Sequence, residues 1–302
     1  MDGKDLRRRV QQLINEGDIG TWEDERTTYD FLYGAARQWV IETECLTAEQ
    51  EITTVATQAG YTLNGDFLAL YMKDDFEYFI KYYDASGESY SFPKFKDYSK
   101  IYYENNTTSI AVPNYFTLTD DNTLDSVISD AADNAADGAG GKTILTMNTE
   151  VFADVTSGDI IHNTTDASDG VITKVTSTKI IEICLFGGTD NEIDVNDAFI
   201  IQPRKRLKII LDPPPSTEGD TVYVPYLQKP DPVYSDYDVY KLPLDYPDVL
   251  CKYAAWLYKY RDDEPNYGDA FYKYWRKQIM DYRALTNKSL LREESQIVPR
   301  MR

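Results

Sequence analysis

The hydrophobic period of this chain changes twice, and that constrains its fold more than any other feature. Apolar residues follow a helical period at the start, alternate from about residue 51, and return to the helical period near 245. A helical stripe and a pleated face place side chains differently, so the sequence predicts helices at both ends with sheet between them. In "DLRRRVQQLINEG" (5–17), Leu6, Val10, Leu13 and Ile14 share one face and Gly17 ends it, predicting a helix over 5–16. "TWEDERTTYDFLYGAARQWVIET" (21–43) opens with Thr21 three residues before Asp24, a capping-box spacing. It then sets Thr28, Leu32, Ala35, Ala36 and Trp39 at helical spacing, predicting a helix over 22–44.

Further on, "EITTVATQAGYTL" and "FEYFIKYYDASGESYSFP" alternate or cluster β-branched and aromatic residues, with "DASGE" as a hairpin turn. "NYFTLTD" (114–120) reads as another strand. "RLKIILDPPP" (206–215) and "DTVYVPYLQKP" (220–230) read as a strand pair around a Pro-rich turn. Two helices follow over 245–262 and 266–285. One carries a stripe of Tyr246, Val249, Leu250, Tyr253, Leu257 and Tyr260, the other Tyr267, Phe271, Tyr274 or Trp275, Ile279 and Tyr282. "DDEPN" between them suits a tight helical hairpin. Trp39, Tyr253, Leu257, Phe271 and Trp275 are expected in the helical core or at a subunit contact. The order of elements predicts an α+β fold, with the terminal helices forming a bundle and a β-unit at one end of it. The expected core covers 1–120 and 203–285.

Residues 121–202 interrupt this plan. "TLDSVISDAADNAADGAGGKT" (123–143) is rich in Ala, Asp and Gly, so 121–143 reads as a weak helix followed by a flexible linker. From 144 to 202 short strands alternate with turn residues at even spacing, the pattern of a small all-β barrel or sandwich. Gly158-Asp159, Asp169-Gly170, Gly187-Gly188 and Asn196-Asp197 are its expected turns.

Little of this points to catalysis. His162 is the one histidine of the chain, and zinc usually takes three or four ligands, so it reads as a strand end before a turn. "GAGGKT" (138–143) ends like a phosphate-binding loop, but Ala136 stands where the first glycine belongs and no buried strand precedes it. The aspartates of 130–138 lack calcium-loop spacing. Cys45, Cys184 and Cys251 are odd in number and far apart, and read as buried thiols. No catalytic, metal or cofactor site is expected. With 51 acidic against 31 basic residues the formal charge is −20, which argues against a nucleic-acid-coating protein. Solvating charge is the simpler reading, and a surface that DNA slides past without sticking is compatible with it. No run approaches the length of a membrane span, and the N-terminal segment lacks the apolar stretch of a secretory signal.

"TVATQAGYTLNGDFLALYM", "IKYYDASGESYSFPKFKDYSKIYYEN" and "VPNYFTLTDD" resemble the core of tailed-bacteriophage head-to-tail adaptor (connector) proteins. So does "LKIILDPPPSTEGDTVYVPYLQKPDPV" with the "LP" step into "LPLDYPDVLCKYAAWLYKY". The stretch from "GDIIHNTTDASDGVITKV" to "LFGGTDNEIDVNDAFII" resembles a β-module inserted in phage tail and adaptor proteins. The resemblance implies a structural virion protein made in the host cytoplasm, without enzymatic activity or cofactor. It would form a homo-oligomeric ring, expected to be a dodecamer, in the virion neck. Portal protein would lie above it and a tail nozzle or tail-tube protein below, with DNA passing the lumen. The alternatives are fibre-docking or receptor binding through the insert, and a virion hydrolase. "TNKSLLREESQIVPRMR" (286–302) is expected as an extended tail. Lys288, Leu290, Leu291, Arg292, Ile297, Val298, Arg300 and Arg302 are its expected portal contacts, and Ser295 to Val298 could add as an edge strand to a partner sheet.

Overall fold

A computed structural model describes residues 1–14, 25–73, 77–78, 80–87, 90–97, 111–121, 127–139, 142–189, 191–203, 206–243, 248–261 and 265–295. The chain is mixed α+β and forms two compact units, Met1–Cys45 with Pro232–Arg302, and Leu46–Asp231.

The first unit holds four helices among the described residues: α1 Gly3–Ile14, α2 Glu25–Thr43, α3 Asp248–Arg261 and α4 Pro265–Ser295. Asp2 caps α1, its carboxylate accepting from the Asp5 amide at 2.8 Å. Leu6, Val10 and Ile14, spaced by one helical turn, are the buried face of α1. Helix α3 packs against α1, α2 and α4, and α4 also touches α2. The expected capping box at Thr21 and Asp24 and the approach to α3 at 245–247 lie outside the described residues. The segment 232–243 runs over the start of α1, with Gly3 and Lys4 amides donating to the carbonyls of Asp238 and Asp236. A Cβ on Gly3 would stand 2.1 Å from the Ser235 carbonyl oxygen, so only glycine fits there. Helix α4 runs ten residues past its expected end at 285 and, at 31 residues, is about 46 Å long. Residues 286–295 are therefore helical and not an extended tail. "NKSLLREE" contains mostly strong helix formers and neither Gly nor Pro.

Among its described residues the second unit is all-β. Its first nine strands are β1 Thr47–Thr53, β2 Gly60–Thr62, β3 Phe67–Leu70, β4 Met72–Lys73, β5 Glu77–Tyr78, β6 Lys81–Tyr83, β7 Tyr90–Ser91, β8 Lys94–Phe95 and β9 Tyr115–Asp121. Its last two are β17 Arg206–Asp212 and β18 Thr221–Gln228. One sheet has the order β1-β18-β6-β7, with β3 also on β18, and a second has the order β2-β17-β9-β8. Between them lies one buried cluster, drawn from both sheets, that includes Ile52, Phe116, Ile209, Leu211, Val222 and Tyr226. This is a sandwich. Strands β17 and β18 do not pair with each other as expected. They belong to different sheets, because Pro213, Pro214 and Pro215 have no amide N–H with which to continue a ladder. Turn Asp84–Gly87 does join β6 to β7 as a hairpin.

The insert holds β10 Ile128–Ala131, β11 Asp137–Ala139, β12 Lys142–Thr146, β13 Ile160–Asn163, β14 Ser168–Ser177, β15 Ile180–Phe186 and β16 Ala198–Gln202. They form one sheet ordered β10-β16-β13-β14-β15-β12-β11. Two edge strands and the start of a third thus occupy the stretch expected as a weak helix and linker. Its small polar residues are ordered by main-chain ladders, which hydropathy does not register. Strands β10 and β11 end the sheet on opposite sides, yet only residues 132–136 join them. That link reaches about 22 Å, whereas edges of a flat seven-stranded sheet stand about 29 Å apart. The sheet is therefore curled around its own core, which includes Leu145, Phe152, Ile161, Ile183, Phe199 and Ile201. Asp169-Gly170 is not a turn. Both lie in β14, and a Cβ on Gly170 would stand 2.7 Å from Leu185 Cδ2 and 2.8 Å from the Cys184 carbonyl oxygen, so glycine is there for close packing.

Candidate functional site

The one histidine of the chain and several aspartates come together at one turn of the insert. His162 stands opposite Asp169 across the β13–β14 ladder, and its Nδ1 contacts the Asp169 carboxylate. Such a pair can orient an imidazole, but the side chains are 46% and 51% exposed and line neither cleft described below. The turn beyond is built by Asn163. Its amide nitrogen donates to Asp166 at 2.9 Å and to Asp197 at 3.2 Å, while its oxygen accepts from the Thr165 amide at 3.0 Å. These carboxylates hold loops. Among the described residues no group of three or more His, Cys, Asp or Glu can hold a metal ion. Lys142 and Thr143 of "GAGGKT" lie in a strand paired to β11 and β15, not at the helix start that a phosphate loop requires.

A second polar knot went unread in the sequence. Buried Asp220 accepts from the Tyr82 hydroxyl, the Thr217 hydroxyl and, at 2.8 Å, the Ala85 amide. Burial, then the hydrogen bond to Asp220, pushes the Tyr82 phenol far above its ordinary value. The knot pins turn 84–87 to the sheet. The turn overhangs a cleft of about 480 Å³ lined by Glu49, Lys81, Tyr83, Thr221 and Tyr223. A further cleft of about 600 Å³ lies where the insert meets the sandwich, lined by Asp66, Thr156, Thr173, Lys174, Gln228 and Lys229 among others. Beside it Gly65 approaches Thr156 so closely that a Cβ would stand 1.9 Å from Thr156 Cγ2. Arg206 also donates to the Asp154 carbonyl.

In the helical unit an aromatic chain joins three helices. Trp39 of α2 meets Trp275 and Tyr282 of α4 edge-on, each at 5.5 Å between ring centroids. Trp275 meets Tyr253 of α3 at 4.5 Å, and Tyr253 meets Trp256 at 5.1 Å. Trp39 and Trp275 are buried. Tyr253, Leu257 and Phe271 are only partly buried. Charge reinforces the packing. Arg276 pairs with Glu42 at 3.2 Å, and Arg283 donates at 2.6 Å to the Glu42 carbonyl at the negative end of α2. Arg9 and Lys252 meet Asp248 at the start of α3 at 2.5 and 3.1 Å. Burial raises the Asp248 pKa, but the hydrogen bonds of these two cations outweigh it and hold the carboxyl below its ordinary value.

What this architecture leaves outward is surface. Past Trp275 and Ile279, α4 exposes Met280 at 67% and Leu285 at 60%, then continues through Lys288, Leu290, Leu291 and Arg292. Ile297, Val298, Arg300 and Arg302 lie outside the described residues. Among the described residues no helix is long and apolar enough to cross a membrane. The chain matches no protein-family model and no curated protein.

Proposed function

We propose that the chain is a structural virion protein, a head-to-tail adaptor. In this reading it forms a ring, of twelve copies by family resemblance, beneath the portal, joins it to a tail nozzle or tail tube, and extends the DNA channel. The observation that carries the reading is the far end of α4, a long helix whose apolar Met280 and Leu285 face solvent. It leads into the cationic stretch Lys288–Arg292 on a chain of charge −20. Exposed apolar side chains followed by positive charge suit a protein partner with an acidic rim. Repeated around a ring, the excess of acid would keep DNA moving through a lumen without adhesion. The mechanism is assembly, not catalysis, and takes no cofactor.

The test is capture by purified portal rings with negative-stain imaging. The full chain is expected to bind as a ring. Leu290→Ala/Leu291→Ala and Lys288→Glu/Arg292→Glu should each lower binding at least tenfold with an unchanged helical circular-dichroism signal. No binding by the full chain overturns the reading, and undiminished binding by both variants moves the contact off α4.

A second reading, fibre docking or receptor binding, draws on the insert. Asp121 and Arg206 are direct cross-strand partners, so the chain enters and leaves the insert at adjacent points, as a grafted module requires. Replacing 122–205 by Asn-Gly closes β9 and β17 as a hairpin. If the insert is a docking module, this variant keeps portal binding and loses fibre or host-cell binding.

A further inference from the structure

Strand β1 is a seven-residue edge. It pairs along its whole length with β18, from Thr47↔Leu227 to Thr53↔Thr221, and among the described residues no strand lies on its other side. Such an edge offers a row of main-chain N–H and C=O groups to any extended segment, and natural proteins guard it with charge. Here the guards are Glu49 and Glu51, both exposed on the same face as Thr47 and Thr53, while Ala48 and Ile52 face the sandwich core. Two glutamates repel a second β1 and any acidic strand, which in this acidic chain describes most segments. They admit a basic one.

We propose that this edge receives residues 296–302 of a second copy of the chain as an added strand, clasping one subunit to the next. The segment reads "QIVPRMR" and matches β1 in length. Alternation places Ile297, Pro299 and Met301 on one face and Gln296, Val298, Arg300 and Arg302 on the other. The first set falls on the face of Ala48, Gln50 and Ile52, and the second brings its two arginines to Glu49 and Glu51. Pro299 has no N–H, so it sits where its nitrogen points away from β1, and Gln296, Val298, Arg300 and Arg302 form the ladder. Proline also biases Val298 toward extended backbone before any contact is made. Main-chain bonds supply attraction, and alternate side chains supply choice of partner. The clasp assigns Ile297, Val298, Arg300 and Arg302 to the neighbouring subunit and leaves Lys288–Arg292 for the portal. It goes beyond the adaptor reading and stands without it.

Two measurements on the full chain decide it. Glu51→Cys/Arg300→Cys is expected to give a disulfide-linked ladder of multimers on a non-reducing gel, absent from either single variant. An intrachain link or no link overturns the proposal, the first by placing the segment on its own subunit. In sedimentation velocity, Glu49→Lys/Glu51→Lys should weaken self-association by about tenfold, the scale of two exposed ion pairs in good geometry. Adding Arg300→Glu/Arg302→Glu should restore it. A chain that never self-associates, or a reversal without restoration, overturns the clasp. Portal binding that persists when the clasp fails leaves the adaptor reading intact, and a clasp without portal binding does the opposite.

Discussion

In the insert, β11 pairs with β12, β13 with β14 and β14 with β15, each strand finding its successor across a short turn. In the sandwich, β1 waits for β18, and β17 pairs with β2 and with β9 from beyond the insert. Among the described residues both regions are all-β and each has its own buried cluster, but three of the insert's six pairings join consecutive strands, whereas most of the sandwich's join distant ones. Loop closure must be completed before a distant pair returns any stability, so the sandwich should form last and depend more on every long-range contact. The chain also labels the regions. All four tryptophans lie in the helical unit, and residues 122–205 contain neither tyrosine nor tryptophan, so fluorescence reports on everything except the insert.

The largest expected effect comes from emptying one core at a time. Phe116→Ala in the sandwich and Phe199→Ala in the insert each remove a fully buried ring and should cost about 3–5 kcal/mol. Hydrogen exchange should show the loss separately. Phe199→Ala deprotects the amides of β13–β16 and spares β1 and β18, and Phe116→Ala does the reverse. Equal deprotection of both by either variant would make the two cores one cooperative body.

A smaller effect is expected where the regions touch. Gly65→Ala drives a methyl into Thr156, an overpacking that costs about 1–3 kcal/mol. Thr156→Gly in the same chain should recover most of it. Failure of that rescue would show that Gly65 is needed for its backbone and not for the close approach.

The smallest effect near neutrality is one of pH, and it separates the regions by composition. Burial pushes up the phenols of Tyr61, Tyr82 and Tyr226 in the sandwich, the last to about 12. A raised folded pKa means the neutral form is favoured in the native state. That stability is complete below the unfolded value near 10 and is lost as pH rises through the folded values. Between pH 10 and 12 the melting temperature followed by tyrosine signal should fall more steeply than exchange protection lost from the insert. Tyr82→Phe should flatten part of that slope. Parallel loss in both regions would refute the assignment.

Much of this was legible before any coordinates. The terminal helices, the "DASG" hairpin and the insert's strand–turn rhythm follow from periodicity and turn chemistry, which act between near neighbours. Leu6, Val10 and Ile14 could be named as a buried face from spacing alone, and Trp39 and Trp275 as core from size and position. The edge strands β10 and β11 could not be read, because "ISDA" and "DGA" carry no apolar pattern and are held by their neighbours' backbones. The Asp220 knot was equally silent. An aspartate bound to a tyrosine 138 positions away has no local signature.

By itself the sequence determined where helix gives way to sheet, that a second β-region interrupts the first, and that the surface is acidic. These follow from local propensity, side-chain period and charge, quantities each segment carries alone. Only the tertiary structure decided that β17 and β18 part into different sheets, that Gly65 and Gly170 are glycines of close approach, and that β1 is an edge with two glutamates on guard. Each of these depends on which distant segment arrives alongside, and that choice is made by burial and main-chain pairing over the whole chain.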